Sequence, residues 1–489
     1  MIKKLSILFA LFILTHCGII AQSTSQVNTS KVAQMLAQET YNSRSDINLT
    51  EKSIIDQLYD SKSLTIKLPF LREELKFTKT EYSIYGDKPS PWEEIKTYKI
   101  ISKDDPLLQG RVVTGPLGVN ITYFYNGKMI KIYPLEVNGQ RSYFQELGVS
   151  EAVPFECEEH GAAHFDTGDI KIFDDETRKS LKTLGSTRRV YRVALSVTGE
   201  YYQANGNNNT AVANAAAVLL SDISEMFERE INIELVMAPG SPEFHRDPAT
   251  DPYSNNPSAD EALSVIPTEF NDNQYDIGHL LHNVGSGGAG NAGVGVVCTT
   301  SKARGYSSFQ TGRPSGFAML AAHEFGHQFG CPHTWNGMGD NCNVGNHSAG
   351  NAYEVGSGNT LMSYNGICGA EWNYPEPANF VFHATSLNNI TDHVTSFECN
   401  TDMWTEEVNI KPEADANPCG AVYRIPRDTP FTLTGFGTDA NGDVLTYSWE
   451  QFDEDGAGRP THGFIGNDAA RSPIAVSYTH LTLPTIYSV

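Results

Sequence analysis

Apolar and polar residues alternate along the chain in patterns that predict strands first and then strands mixed with helices. Between residues 22 and 187, strand-like runs such as Val119–Tyr125 are separated by Asn-Gly turns, which predicts a mainly β unit. A strand pattern at Val190–Val197 precedes an alanine-rich helical pattern at 210–229 and an apolar run at 231–237. This order of strand, helix and strand predicts an α/β layer.

The α/β pattern continues to about residue 330. A short helix is predicted near 259–270, and a strand at Tyr275–Leu281 follows it. The stretch from Gly285 is dense in glycine and ends in the apolar run Val294–Val297, which we expect to be a strand. Gly316–Gly330 then predicts a single helix that ends at a glycine.

The composition shifts near residue 405. Lys411–Pro418 is rich in proline and acidic residues and predicts a linker. Phe431–Phe452 alternates around Asn441-Gly442, which predicts part of a β-sandwich similar to immunoglobulin-like or polycystic-kidney-disease-type repeats. We interpret the last residues, which do not continue this pattern, as a truncated or artefactual tail. The predicted units are a signal peptide (1–21), a propeptide (22–187), a catalytic domain (188–404), the partial module (405–476) and the tail (477–489).

The first 21 residues have the three-part layout of a secretory signal. Met1–Lys4 is positively charged, Leu5–Leu14 is almost entirely apolar, and we expect cleavage near Ala21. A lipid anchor on Cys17 is the alternative, although His16 is a poor residue directly before a lipidated cysteine. The apolar run is too short to span a bilayer and no later segment is long enough, which predicts a secreted protein without a membrane span.

The net charge argues against one class of partner, and the cysteine content predicts disulfides. The net charge of −23 argues against nucleic acid, because phosphate binding needs clustered lysine and arginine. Seven of the eight cysteines lie after the signal, and six of these fall between residues 298 and 419. In an exported protein such a cluster predicts disulfides, although spacing alone leaves the pairing open.

His323, Glu324 and His327 form a pattern that binds metal on a helix. Histidines four residues apart lie on one face, so their imidazoles can hold one ion while Glu324 reaches a water. A third ligand completes a catalytic zinc site that keeps one position open. His333 supplies that ligand, because Gly330 and the proline after it end the helix and let the chain turn back.

Other interpretations of these segments are weaker. A structural zinc site would close all four positions, usually with cysteines, and would not need Glu324. Cys331 lies inside the motif and could compete as a ligand, but we expect it to be paired or buried. Gly285–Gly290 matches a dinucleotide pattern that requires a helix after it, where the sequence predicts a strand. Asp439–Asp443 leaves Ca²⁺ open as a second ion, although Val444 stands where an EF-hand needs glycine.

The complete motif His-Glu-x-x-His-x-x-Gly-x-x-His resembles the signature of the metzincin metallopeptidases. Metzincins place a methionine turn beneath the metal, and the resemblance assigns that role to Met362. Tyr364 is similar to the tyrosine that astacins and serralysins hold near zinc, where it stabilises the oxyanion. The resemblance covers about residues 188–400 and implies an α/β (α+β) domain with a twisted mixed sheet and an active-site helix.

Within the metzincins, the chain is most similar to the reprolysin (adamalysin-like) branch found in bacterial exported proteins. The strand that opens at Val190, the segment Tyr275–His279 and the segment Asn365–Cys368 carry this similarity. Thr334 departs from it, because reprolysins usually have aspartate directly after the third histidine. The resemblance also implies two disulfides, which are Cys298 with Cys399 and Cys342 with Cys368.

Together these features predict a secreted zinc-dependent endopeptidase for protein or peptide substrates. A zinc-bound water would attack the peptide bond, with Glu324 as general base. We expect a zymogen in which Arg188-Arg189 is a candidate processing site. Cys157 either fills the open zinc position as a cysteine switch or is an unpaired or intermolecular cysteine. The alternative functions are an exported adhesin on a degenerate protease domain and a metal-dependent hydrolase of another bond, such as an amidase. The C-terminal module would contact a cell surface or polymer in either the protease or the adhesin.

Overall fold

The computed structural model describes most of residues 44–148 and of residues 186–399, with a few segments outside these ranges. The described residues are 44–47, 51–60, 63–67, 74–88, 90–125, 127–148, 155–157, 186–343, 345–374, 378–399, 404–406, 410–415, 436–448, 450 and 485–487. The expected signal peptide and almost all of the expected C-terminal tail lie outside them.

The N-terminal part of the chain forms one antiparallel sheet with a helix beside it. The strands run in the order β1-β8-β7-β6-β5-β4-β3-β2, so the neighbours from β2 to β8 are hairpin partners. Alternate side chains of these strands face a buried apolar cluster that includes Leu64, Phe77 and Ile121. The elements are β1 (Arg44–Ile47), α1 (Glu51–Asp60), β2 (Ser63–Lys67), β3 (Glu74–Tyr82), β4 (Lys96–Ser102), β5 (Gln109–Gly115), β6 (Gly118–Tyr125), β7 (Lys128–Val137) and β8 (Gln140–Leu147).

The second part of the chain is a mixed α/β unit, as the sequence predicted. Its strands are β9 (Phe155–Cys157), β10 (Thr187–Val197), β11 (Ile233–Met237), β12 (Glu243–Phe244), β13 (Ile277–Val284), β14 (Gly288–Ala292), β15 (Gly305–Gln310) and β16 (Thr405–Glu406). Its helices are α2 (Gly199–Ala204), α3 (Asn209–Ile231), α4 (Ala259–Glu269), α5 (Pro314–Gln328) and α6 (Ala384–Ser396), with 3₁₀ turns at Asp272–Gln274 and Ala349–Asn351.

The sheet of this unit runs β11-β10-β13-β15-β14-β9, with β12 and β16 also paired to β10. The pairs from β11 to β15 are parallel, while β14 is antiparallel to β15. The prediction of a strand at Val294–Val297 is wrong, because that segment is a turn and Gly295 has a φ of +66°. The strand in the glycine-dense stretch is instead Gly288–Ala292, which packs against helix α5.

Helix α3 lies between the two sheets and is buried on almost every face. Its apolar residues pack against β11 on one side and against Val113, Phe124 and Met129 of the N-terminal sheet on the other. Charged residues on the same helix form buried ion pairs with the N-terminal sheet, since Lys131 contacts Asp222 and Arg111 lies 2.9 Å from Glu225. One continuous core therefore joins residues 74–148 to the α/β unit.

The candidate processing site lies within the sheet. Arg188 and Arg189 belong to β10, which pairs with β11 and with the short strand β16. Arg188 is ion-paired with Glu234, and the guanidinium of Arg189 stacks 4.6 Å from the ring centre of Trp404. A protease would have to open β10 to cut between the two arginines.

Among the residues described beyond the α/β unit there are four short strands. They are β17 (Glu413–Asp415), β18 (Phe436–Thr438), β19 (Thr446–Ser448) and β20 (Thr485–Tyr487), and they pair as β17 with β18 and β19 with β20. Glu450 connects this region to helix α6, because its carboxylate accepts a hydrogen bond of 2.7 Å from the backbone N–H of Ala384. The contact places a negative charge at the helix N-terminus, where the helix dipole favours it.

Candidate metal centre

Helix α5 carries the first part of the site and ends where the sequence requires. Pro314 occupies the first turn, where its missing N–H costs nothing. The helix ends at Gln328, and Gly330 has a φ of +104°, which L side chains rarely adopt. A Cβ at Gly330 would also lie only 3.0 Å from the Cβ of His393 on helix α6. Glycine at this point therefore lets the chain turn back toward the helix face that bears His323 and His327.

Three histidines converge behind that turn. The Nε2 atom of His327 lies 3.1 Å from Nε2 of His323 and 3.1 Å from Nε2 of His333. All three rings are buried, and their nearest nitrogens lie within 4.8 Å of one another, which makes them a group that could hold a metal ion. The structure therefore brings together the three histidines named from the sequence.

Backbone carbonyl groups define the tautomer of each ring. The Nδ1 atom of His323 lies 2.6 Å from the carbonyl oxygen of Leu361, and that of His327 lies 2.6 Å from the carbonyl oxygen of Cys331. His333 makes the same contact, at 2.7 Å, with the carbonyl oxygen of Asn346. A carbonyl oxygen can only accept a hydrogen bond, so each Nδ1 carries the proton. The three Nε2 lone pairs consequently face one another.

Burial keeps these rings neutral. It lowers the pKa of His323 to about 4, and the hydrogen bond to Leu361 offsets only part of that effect. Burial also lowers the pKa values of His327 and His333 well below the usual value, and the neighbouring histidines lower them further. Neutral imidazole is the form that binds a metal.

The spacing of the lone pairs fits zinc. Zn–N bonds of about 2.0–2.1 Å in a tetrahedral site place ligand nitrogens roughly 3.3–3.4 Å apart, close to the observed 3.1 Å. Three lone pairs at this separation repel each other unless a cation lies between them. Backbone acceptors on the opposite nitrogens are also the usual means by which proteins orient histidine ligands.

Glu324 lies on helix α5 beside strand β14. A Cβ built on Gly290 of that strand would lie 2.2 Å from Oε1 of Glu324, so the strand backbone and the carboxylate are in close contact. The side chain of Glu324 is fully buried. The absence of a side chain at residue 290 therefore makes the room in which this carboxylate sits.

Met362 and Tyr364 lie on the loop that passes under helix α5. The sulfur of Met362 packs against Gly326, where a Cβ would lie only 2.4 Å away. The ring of Tyr364 is buried, with its centre 4.6 Å from that of His333, and it stacks at 5.0 Å on Trp335. Both residues named from the resemblance thus lie next to the histidine cluster.

The short strand β9 lies on the open edge of β14. It runs parallel to β14 and pairs Phe155 with Gly288 and Cys157 with Gly290. The residue opposite Cys157 is therefore the glycine that contacts Glu324. This places the backbone of a segment from the expected propeptide along the strand that contacts Glu324.

The described residues contain two disulfides, and they are the pairs implied by the resemblance. Cys298 is bonded to Cys399 and Cys342 to Cys368. Cys331 is a buried thiol, and burial raises its pKa far above the usual value, which disfavours the thiolate that a metal ligand requires. Its sulfur lies 3.4 Å from the carbonyl oxygen of Ser386, and Cys331 is not part of the group that could hold the metal.

Two buried polar networks around the site were not predicted from the sequence. Gln328 connects helix α5 to the sheet, since its Oε1 accepts from Nδ1 of His279 at 2.8 Å and its Nε2 donates to the carbonyl of Gly278 at 2.9 Å. Glu354 accepts hydrogen bonds from Thr334 and Thr360. Neither network has a sequence signal, because Gln328 lies 49 residues from His279, and Glu354 is joined to Thr334 and Thr360 in segments without a periodic pattern.

No helix in the described part of the chain has the length and apolar character required to cross a bilayer.

A comparison with curated proteins finds no match to this chain. Among solved structures, the chain is similar to metalloproteinase-II from Bacteroides fragilis at 10% identity, with 68% of this chain and 90% of that chain covered. The TM-score is 0.38, which is too low to carry an argument about function.

A comparison with protein families gives the clearer result. Residues 187–390 match the family described as metallo-peptidase family M12B, reprolysin-like. The matched segment contains strands β10–β15, helix α5 and all three converging histidines. The part of this chain that holds the histidine cluster is therefore similar to the reprolysin-like metallopeptidases of family M12B.

Proposed function

We propose that the chain is a secreted zinc-dependent endopeptidase of the metzincin type, made as a zymogen. The observation that carries the proposal is the convergence of three Nε2 lone pairs next to Glu324, with every Nδ1 proton directed to a backbone carbonyl. His323, His327 and His333 would hold the zinc ion. When bound, zinc supplies Lewis acidity, which makes water a nucleophile near neutral pH and stabilises negative charge on oxygen.

Glu324 is the proposed general base. Its carboxylate takes a proton from the attacking water and then gives it to the leaving amine as the peptide bond breaks. Helix α5 holds this carboxylate one residue from His323, and strand β14 passes directly beside it. Removal of the carboxylate would leave the metal ligands in place but would remove the proton acceptor.

Met362 and Tyr364 are proposed to support the reaction from below the metal ligands. Met362 fills the space against Gly326 with an apolar sulfur, which keeps the rings of His323 and His327 from shifting. The phenol of Tyr364, whose ring lies against His333, would donate a hydrogen bond to the oxyanion that forms during attack.

The substrate would bind as an extended chain along β14. A peptide added to an exposed strand edge is held by main-chain hydrogen bonds, which favours unfolded or looped proteins over any single sequence. The backbone N–H and C=O groups of Gly288–Ala292 offer such an edge once β9 is removed. Protein and peptide substrates therefore fit this strand edge. Zinc is the only cofactor that we propose.

The zymogen part of the proposal rests on β9. This strand occupies the edge of β14 that the substrate would need, and its residue Cys157 pairs with Gly290 next to Glu324. We propose that residues 22–187 keep the enzyme inactive until they are cut, with Cys157 as the candidate switch. A Cys157→Ala variant should show activity before processing if the thiol contributes to inhibition.

The deciding experiment compares the processed chain with its Glu324→Gln variant. The wild type should bind one zinc ion, cleave casein and lose this activity to a chelator. Glu324→Gln should keep its zinc but lose at least about 100-fold in kcat, which is the scale of a general-base contribution. Retained cleavage by the variant would overturn the mechanism, and a processed, zinc-loaded wild type without peptidase activity would favour the adhesin.

A further inference from the structure

We infer that Glu354 is a positioning residue for the metal centre, an inference that rests on the proposed function. Glu354 lies outside the histidine motif, in the loop that follows the 3₁₀ turn Ala349–Asn351. Its side chain is almost completely buried, at 8% exposure for the residue. The carboxylate connects the segment after His333 with the segment that carries Met362.

On one side, the carboxylate binds the methionine-turn segment. Oε1 accepts hydrogen bonds from the backbone N–H groups of Asn359 at 2.9 Å and Thr360 at 3.1 Å, and Oε2 accepts from the Thr360 hydroxyl at 2.6 Å. The next residue, Leu361, has the carbonyl oxygen to which Nδ1 of His323 donates. Glu354 therefore fixes the backbone that orients the first metal ligand.

On the other side, the same carboxylate binds the third-ligand segment. Oε2 accepts a hydrogen bond from the hydroxyl of Thr334, which directly follows His333. The backbone extends this connection, since the N–H of Glu354 donates to the carbonyl of Thr334 at 2.8 Å and the N–H of Thr334 donates to the carbonyl of Met362 at 3.1 Å. One buried carboxylate thus holds the backbone beside two of the three histidines.

The chemistry of the contacts suits a carboxylate. Four donors point at two oxygen atoms, and a carboxylate is an acceptor only, so it can satisfy all of them. Such charge-assisted hydrogen bonds are roughly twice as strong as neutral ones. A Glu354→Gln substitution keeps the shape, but its N–H₂ group can only donate, so the Thr334 and Thr360 hydroxyls would have to turn round and accept, and the negative charge that strengthens all four hydrogen bonds would be lost. The substitution should therefore loosen the backbone beside His323 and His333 together.

The test measures zinc affinity in the full chain, by competition between the zinc-depleted protein and a coloured chelator. The dissociation constant should rise about 10–100-fold in Glu354→Gln, the usual effect of losing a partner that orients metal ligands. Glu354→Asp, which keeps the charge, should recover part of that loss. Thr334→Val should also weaken zinc binding, whereas Thr334→Ser, which keeps the hydroxyl, should not.

Asp276→Asn is the matched control. Asp276 is a buried carboxylate that accepts from the backbone N–H of Arg192 at 2.8 Å, so its loss should lower the melting temperature without a change in zinc affinity. The same behaviour in Glu354→Gln would overturn the inference. If that variant does not fold, equal zinc affinities for Thr334→Val and Thr334→Ser would overturn it. A wild type that binds no zinc would instead refute the proposed function itself.

Discussion

At the scale of single residues, Gly290 is the clearest point at which backbone geometry controls chemistry. An alanine there would put a Cβ 2.2 Å from Oε1 of Glu324, and the flexible carboxylate would have to move. We expect Gly290→Ala to lower kcat/KM at least about tenfold, because a misplaced base loses part of its contribution. The unfolding free energy should change by only about 1 kcal/mol. Peptide hydrolysis and thermal unfolding check both values.

Gly285→Ala is the control for that substitution. Gly285 lies in the same glycine-dense stretch, but a Cβ there would have nothing within 4 Å. We expect this variant to keep both the activity and the stability of the wild type. Equal activity of the two alanine variants would contradict the role of Gly290.

A second residue-scale prediction concerns pH and His279. Burial lowers the pKa of His279 to about 4, and the hydrogen bond to Gln328 offsets only part of that effect. The unfolded chain takes up a proton near pH 6.5, so stability is complete above that pH and falls as the pH drops toward 4. The loss between pH 7 and pH 5 should be about 2 kcal/mol, since one pKa unit corresponds to about 1.4 kcal/mol. Urea unfolding of the zinc-loaded protein measures it.

His279→Asn separates this residue from other titrating groups. Asparagine can still donate to Gln328 but does not titrate, so the variant should be less stable at pH 7 and should lose less stability toward pH 5. A slope between pH 7 and pH 5 that matches the wild type would show that His279 does not set the acid limit.

At the scale of the elements, the two disulfides should differ in their effect. The Cys298–Cys399 bond closes a loop with a sequence separation of 101, and the Cys342–Cys368 bond closes one of 26. The loop-entropy relation gives about 4–5 kcal/mol for the first bond and about 3–4 kcal/mol for the second. Urea unfolding of the two paired Cys→Ala variants should reproduce this order. A larger loss for the shorter loop would mean that native contacts, rather than chain entropy, dominate.

The same scale shows which parts could be predicted from the sequence. Helix α5 and its stop depend on short-range rules, because histidine spacing and the positive φ of Gly330 are local properties. The apolar pattern of Val294–Val297 predicts a strand that the structure does not contain. The backbone N–H groups at 295–297 instead bond to the carbonyls of His327 and Gln328, a tertiary contact that apolar content does not encode. The role of Glu354 has no sequence signal either, since Asn359 and Thr360 donate from an irregular loop and Thr334 lies 20 residues away.

At the scale of the whole molecule, helix α3 connects the two sheets. Its residues are buried on nearly every face, and they include Asp222 and Glu225 as well as the apolar positions. The sequence predicted the helix but gave no sign of its second partner. Arg111 and Lys131 approach it from the N-terminal sheet and meet Glu225, Glu228 and Asp222. Residues 74–148, which belong to the expected propeptide, therefore complete the core of the α/β unit.

The last prediction tests that connection through the buried pair Lys131 and Asp222. Lys131 is fully buried, and its ammonium group also donates to the Thr122 hydroxyl at 2.9 Å. Lys131→Met alone would leave the carboxylate of Asp222 buried without its counter-ion, which should cost about 3–5 kcal/mol of unfolding free energy. The double variant Lys131→Met/Asp222→Leu should recover most of that loss, because two apolar side chains can replace a buried ion pair.

Urea unfolding of the full chain gives the unfolding free energies of the wild type, Lys131→Met, Asp222→Leu and the double variant, which are the four values of this double-mutant cycle. Lys52→Met is the control, because the pair Lys52–Asp56 is largely exposed and should contribute less than about 0.5 kcal/mol. If the two parts share one core, tryptophan fluorescence and the loss of zinc should report the same transition in each variant. A loss below about 1 kcal/mol for Lys131→Met, or separate transitions in the wild type, would mean that the N-terminal sheet is only loosely attached to helix α3.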